Sequence, residues 1–247
     1  MEALWMIKLI INADDFGYSR GVNYGIIDSH LFGIVNSTTM MMNMEGTEHA
    51  IELAKKHPSL QVGIHLVLTC GKPLLQDVPS LIDENGNFKT LAELNSKDIC
   101  LSELEKEWTA QIESFIRSGL KPNHFDSHHH VHTIEEFLPV VQKLAKKFNL
   151  PVRLNGLNSI EGVEGYSDIC LFDFYGPTAT ADYFDKLSEK DLDEKTVEIM
   201  CHPAYMDNLL LSGSSYNTTR LDELDILLKT NLPANIDLLT NGIMKSV

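Results

Sequence analysis

The chain has 247 residues, 43% of them hydrophobic and 22% charged, which is ordinary globular usage and enough length to bury a core without disulfides. Its 20 basic and 35 acidic residues leave a formal charge of −15, which argues against nucleic acid or an anionic membrane as a partner. Cys70, Cys100, Cys170 and Cys201 show no CxxC spacing, so neither a zinc knuckle nor a disulfide framework is expected, and reduced thiols in a cytoplasm fit best.

The opening "MEALWMIKLIINADD" is apolar but too short to cross a bilayer, and it has no basic flank or small-residue cleavage site. It reads as a first, doubly buried strand, "IKLIINADD". Val22, Ile26, Ile27 and Leu31 then mark a helical stripe in "RGVNYGIIDSHLFG", which Gly33 is expected to close. A strand "IVNSTTMMMN", a helix "TEHAIELAKKHP" and a strand "LQVGIHLVLT" follow, with Pro58 at the break between the last two. From Gly71 to about Ser96 turn residues dominate, and "ENGN" reads as a hairpin turn inside a long loop of the kind that covers sites.

Regular order resumes with the amphipathic helix "LSELEKEWTAQIESFIRSG", ending at Gly119, and the strand "KPNHFDSH". The helix "IEEFLPVVQKLAKKF", the strands "PVRLN", "DICLFDFYG" and "TVEIMCHP", and the closing segments "TRLDELDILLK" and "NIDLLTN" complete the chain. With no repeat or linker, about seven βα units in one domain spanning 1–247 predict an α/β fold, a closed or nearly closed (β/α) barrel, irregular or seven-stranded.

The unusual residues fall at the C-terminal ends of these strands: "NADDFG", "GIHLVLT", "HFDSHHHVH", "VRLN" and "MCHPAY". In a parallel barrel those ends share the face on which active sites are built. Alternation along the first strand aims Asp14 and Asp15 in different directions, so that one can meet a cation and the other a substrate. The bland alternative is a pair of turn aspartates before Gly17 and Ser19. His65, alone in an apolar strand, is by itself more often a satisfied core histidine than a ligand.

"NHFDSHHHVH" holds five of the ten histidines. Alternation puts His124, Asp126, His128 and His130 on one face, whereas His128 and His132 share a face only if the chain turns helical. One aspartate and two histidines hold a divalent cation and leave positions open, and a spare carboxylate beside them serves as base. His202, before Pro203, is forced into an extended or turn conformation and is a candidate acid. Arg153 in a strand needs a carboxylate, with Asp14 the candidate partner. Phe16, Tyr18 and Tyr205 lie beside the motifs and suit either a sugar ring or core packing.

"NADDFGYSRGVNYGIIDSHLFGIVNSTTMMMN", "VGIHLVLTCGKPL", "PNHFDSHHHVH" and "EIMCHPAY" occur in the order that resembles the YdjC-like family of carbohydrate deacetylases. The resemblance implies a barrel-like fold, a divalent metal usually described as magnesium, with zinc and manganese as alternatives, and removal of acetyl groups from N-acetylated sugars of the chito-oligosaccharide kind. It places the metal on Asp15, His65 and His128, makes Asp14 the general base and His202 the acid, and leaves Asp126 and Arg153 as supporting residues. The wider polysaccharide deacetylases take two ligands from one HxxxH segment, so His132 in place of His65 stays open. As partners the reading admits an acetylated oligosaccharide and a second copy of the chain in a homodimer. Two rival functions remain, another metal-dependent amidase or phosphoesterase and a non-catalytic metal- or sugar-binding protein.

Overall fold

A near-unbroken apolar run makes β1, Ile7–Phe16, in which every residue but Lys8 is buried. A strand with no solvent face has to lie inside the protein, and β1 is the centre of the sheet. In a computed structural model describing residues 6–154, 160–192 and 194–239, the strands β2 (Ser37–Met40), β3 (Gln61–Leu66), β4 (Phe125–Ser127), β5 (Ile169–Leu171), β6 (Thr196–Cys201) and β7 (Ile236–Leu238) join it. All pairings are parallel, in the order β4-β3-β2-β1-β6-β5. β7 pairs with Ile7–Leu9 of β1, while β2 takes the same edge further along, from Asn12. Asn36 fills the gap between them: its side chain accepts from the Ile11 N–H at 2.7 Å and donates to the Leu9 and Leu239 carbonyls.

The sheet curls until its edges meet. Val152 pairs with Phe125 on one side and Gly165 on the other, and its N–H and C=O bond Glu164 and Tyr166. The same segment runs on into β5, which pairs with β6. A seven-stranded, irregular barrel of the expected class results, one of whose walls is a pair of single bridges rather than a full ladder. Arg153 therefore does not sit in a strand as "PVRLN" suggested; one bridged residue replaces it, and Asn155 falls outside the described residues, as does the end of "NIDLLTN".

Helices cover the outside as parallel crossovers require: α1 (Arg20–Leu31), α2 (Thr47–Lys56), α3 (Leu101–Arg117), α4 (Leu138–Phe148), α5 (Tyr183–Ser188), α6 (Asn208–Gly213) and α7 (Thr219–Lys229). Ser19 caps α1 through the Val22 N–H at 3.2 Å, and Asn149, left-handed at φ 52°, ends α4. Gly33 does not terminate α1, which stops at Leu31 with Phe32 as its cap; Gly33 instead lets the backbone of Leu227 approach closely. The "ENGN" turn forms as expected, with Ile82 paired to Phe88 and Gly86 at φ 75°. Among the described residues no helix is long and apolar enough to cross a membrane, and the four cysteines are unpaired.

The packing of α1 on the 203–204 backbone is tight enough to predict a sign. A methyl group at Gly25 would lie 2.5 Å from Ala204 Cα and 2.9 Å from the Pro203 carbonyl oxygen. Helix propensity alone favours Gly25→Ala by about 1 kcal/mol, but overpacking against backbone costs about 1–3 kcal/mol. Urea denaturation is expected to show net destabilisation.

Candidate metal centre

β1 delivers two aspartates to the same end of the barrel by breaking its own alternation. Asn12 and Asp14 share the inner face, with Asn12 Nδ2 donating to Asp14 Oδ1 at 2.9 Å. Regular pleating would turn Asp15 the other way, as expected from sequence. Instead the register of β1 against β2 shifts between Ala13 and Phe16, and Asp15 takes φ 69°. The bulge and the left-handed residue re-aim the second carboxylate, so both aspartates reach the same interior. Asp14 and Asp15 are each 1% exposed.

His65 Nε2 and His128 Nδ1 both face Asp15 Oδ1, at 3.3 Å and 3.0 Å, and their rings meet edge-on at 5.7 Å. The three donor atoms lie within 4.8 Å of one another. His65 is oriented from behind by Asp126, whose Oδ1 lies 2.7 Å from Nδ1, while Thr39 bonds both residues. A carboxylate on Nδ1 keeps a proton there and leaves Nε2 as a donor for a cation. Burial opposes a charge on His65, but Asp126 outweighs it and pushes the ring up to about 10, so that a cation bound at Nε2 would displace a proton there. One hard oxygen and two imidazole nitrogens, buried and convergent, fit a divalent cation.

Of the five clustered histidines only His128 joins this set. His129 and His130 are left-handed, at φ 55° and 54°, and the His129 ring lies tilted against His128 with centroids 3.9 Å apart. His129 bonds Thr69 at 2.9 Å, and His130 meets Phe172 edge-on. His124 shares the face of Asp126 as alternation suggested, its ring lying over Gly63, but it stacks on Tyr166 at 3.5 Å and bonds Asn123, so it stays outside the set. His132 has both ring nitrogens engaged, by Ser127 Oγ at 2.6 Å and by the Arg153 carbonyl at 2.8 Å. It therefore braces the turn, and the HxxxH alternative to His65 has no free nitrogen to offer.

Beneath the cluster Arg153, fully buried, binds Asp14 through both terminal nitrogens at 2.7 Å, Asp126 at 2.6 Å and Glu198 at 2.6 Å. Burial would raise the Asp14 carboxyl, but the guanidinium overrides it and holds Asp14 below the usual carboxylate range. His202 lies just past β6, its N–H bonded to Glu223 and its ring edge-on to Tyr175 and Tyr216 at 5.6 Å and 5.5 Å. Burial and then the charge of Arg220 push that ring down to about 3, so the free site holds His202 neutral.

Phe16 and Tyr18 belong to the core, and Tyr205, 39% exposed, bonds Asp28 on α1. Sequence reasoning missed Arg220, which donates to Asp15 Oδ2 at 2.7 Å, and Glu198. Both carried a signal. Arg220 and Glu223 lie on the buried stripe of α7 with Leu224 and Leu227, and Glu198 interrupts an apolar strand whose charge has to be matched. A cavity of about 610 Å³ opens at the opposite, N-terminal end of the strands, near Ser37, Asn123 and Tyr166, and includes none of the cluster; donor chemistry rather than cavity size marks the site.

A parallel α/β barrel with a candidate divalent-metal set at the C-terminal mouth of its strands defines the class. The YdjC-like protein family model matches residues 8–237, and the chain belongs to that family. It is 47% identical over 237 residues to a carbohydrate deacetylase of Halalkalibacterium halodurans, covering 94% of this chain and 100% of the relative. It is 48% identical to a carbohydrate deacetylase of Geobacillus stearothermophilus, covering 92% and 91%. The crystal structure of a protein from Enterococcus faecalis V583 described as a cellobiose-phosphate cleavage protein superposes with a TM-score of 0.82 at 39% identity, over 90% of this chain and 91% of that one.

Two stability measurements follow from this electrostatics. Arg153→Met strands three buried carboxylates, which costs about 3–5 kcal/mol at neutral pH. Their folded-state pKa values then rise above the unfolded ones, so the loss should shrink as pH falls toward 5. Glu223, pushed up to about 7 by burial, has a folded value above its unfolded one. Its contribution is full below the unfolded value near 4.5 and lost as pH rises through about 7. Relative to Glu223→Gln, the native protein should lose melting temperature across that interval, and parallel curves would refute the assignment.

Proposed function

We propose that the chain, 1–247 as one domain, is a metal-dependent carbohydrate deacetylase that hydrolyses the N-acetyl group of N-acetylglucosamine-containing oligosaccharides and releases acetate. The observation that carries this reading is the convergence of Asp15, His65 and His128 on one point with a second carboxylate, Asp14, alongside. Those three residues would hold the ion, magnesium by family resemblance, with zinc and manganese as the other candidates. A bound divalent ion supplies a Lewis acid for a carbonyl and a lowered pKa for water.

The side chains divide the remaining tasks. Asp14, ionised and gripped by Arg153 in a two-pronged pair, has a fixed orientation and takes the proton from water as it attacks the acetamide carbon. Asp126 holds His65 in one tautomer, and Arg220 occupies the second oxygen of Asp15 so that Oδ1 alone turns inward. His202 is neutral in the free site; the proton that Asp14 takes from the attacking water is the one the departing amine needs, and His202, its proton affinity raised by negative charge growing on the attacked carbonyl, would take up that proton and hand it to the amine. The chemistry is complete when the carbon–nitrogen bond breaks and acetate and a free amine leave.

A second reading is hydrolysis of a phosphorylated sugar. The Enterococcus faecalis protein described as a cellobiose-phosphate cleavage protein and the buried Arg220, whose Nη1 has no partner among the described residues, favour it. Assaying acetate and inorganic phosphate side by side, on an N-acetylated and a phosphorylated disaccharide, decides between the two.

Asp14→Asn is expected to keep its bound metal and to lose turnover by roughly 10²–10⁴-fold, the scale of general-base catalysis, whereas His128→Ala should lose both. Elemental analysis with an acetate assay measures the two; a fully active Asp14→Asn protein would end the base assignment. Stripping metal with a chelator should abolish acetate release, and adding magnesium, manganese or zinc back one at a time identifies the ion.

A further inference from the structure

We infer that Tyr175 is a stacking platform for a pyranose ring of the substrate, a sugar subsite fixed beside His202; this rests on the carbohydrate reading above. Tyr175 follows β5 and is 41% exposed, yet one face of its ring is covered by Tyr216, with ring centroids 3.9 Å apart and planes within 14°. The exposed area is therefore the outer face and rim. Both rings meet the edge of His202, at 5.6 Å and 5.5 Å, which sets the platform at the mouth where the candidate metal set lies.

The position is pre-organised to an extent an exposed side chain does not ordinarily show. The Tyr216 hydroxyl donates to Glu223 and accepts from the Gly176 N–H at 2.8 Å. Gly176 follows Tyr175 directly and takes φ 55°, the left-handed region open to glycine. Thr178 Oγ1 holds the Tyr175 carbonyl at 2.7 Å. Inward, the Arg220 guanidinium lies 5.6 Å from the Tyr216 ring centre and bonds Asp15. A continuous column thus runs from a candidate metal ligand, through Arg220 and Tyr216, to an open aromatic face.

Ordering a tyrosine costs conformational entropy, and leaving its apolar face wet gains nothing for folding. An aromatic face fixed in advance gains when something with an apolar face and a polar rim is laid on it. A pyranose ring has that character, since its axial C–H groups form an apolar face and its hydroxyls a polar edge. Among the described residues the other exposed aromatics are placed differently: Tyr24 packs with Arg20 and with His49 of α2, Phe32 caps the end of α1, and Tyr205 bonds Asp28.

The test uses the full chain and three variants, Tyr175→Ala, Tyr175→Phe and Tyr175→Trp. Calorimetric titration with the glucosamine disaccharide, which carries no acetyl group to hydrolyse, reads binding; acetate release from the N-acetylated disaccharide reads kcat and KM. Tyr175→Ala should weaken binding and raise KM by about tenfold, the scale of one aromatic stacking contact, with kcat within about twofold. The Phe and Trp variants, which keep a ring in the stack, should bind like the native protein. Unchanged binding in Tyr175→Ala, or a fall in kcat with constant KM, overturns the platform. Binding that depends on Tyr175 in a protein releasing no acetate keeps the platform and removes the deacetylase reading, whereas acetate release with a KM indifferent to Tyr175 does the reverse.

Discussion

A single buried cation holds the interior of this barrel together. Arg153, with no solvent contact, is the shared partner of Asp14, Asp126 and Glu198, which arrive on β1, β4 and β6. Without it desolvation would drive these three carboxylates toward their neutral forms. An ionised Asp126 is what fixes the tautomer of His65, and an ionised Asp14 is what a base requires. The electrostatics of the floor therefore precede the chemistry of the mouth. Arginine suits the position because its planar fork meets several carboxylates at once, which a lysine ammonium would do without directional control.

The polar groups above that floor are positioned by irregularity in otherwise regular elements. Asp15 sits at a bulge, His128 opens a double left-handed turn, and Val152 stands where a strand would be. Each departure has a local support: His132 locks the turn through Ser127 and Arg153, and Arg220 ties Asp15 to α7. Strain kept at a site by surrounding structure is the pattern expected where geometry serves function rather than stability.

Much of this was legible in the sequence. Continuous apolar runs alternating with helical stripes specify buried parallel strands, and in such a fold the polar residues after each run meet on one face; Asp15, His65 and His128 do converge there. Arg153 could be assigned a carboxylate partner because an unpaired guanidinium in an apolar segment is costly. The failures have a common physical origin. Period-two alternation assumes ideal pleating, so it sent Asp14 and Asp15 apart, where a bulge decides otherwise. Glu198 and Arg220 were hidden inside elements read as packing, although a charge on a buried stripe is itself a request for a partner. Motif adjacency left Phe16 and Tyr18 open between a sugar ring and the core, and the structure puts both in the core.

The left-handed backbone at Asp15 narrows what chemistry that position can ever host. Few residues with a side chain tolerate this conformation, and aspartate and asparagine are foremost among them because their short polar groups bond locally. Glutamate would keep the negative charge but fit the backbone poorly, and asparagine would keep the backbone but surrender the charge. Two unrelated demands, one steric and one electrostatic, thus intersect on a single amino acid, and drift at this codon is closed from both sides.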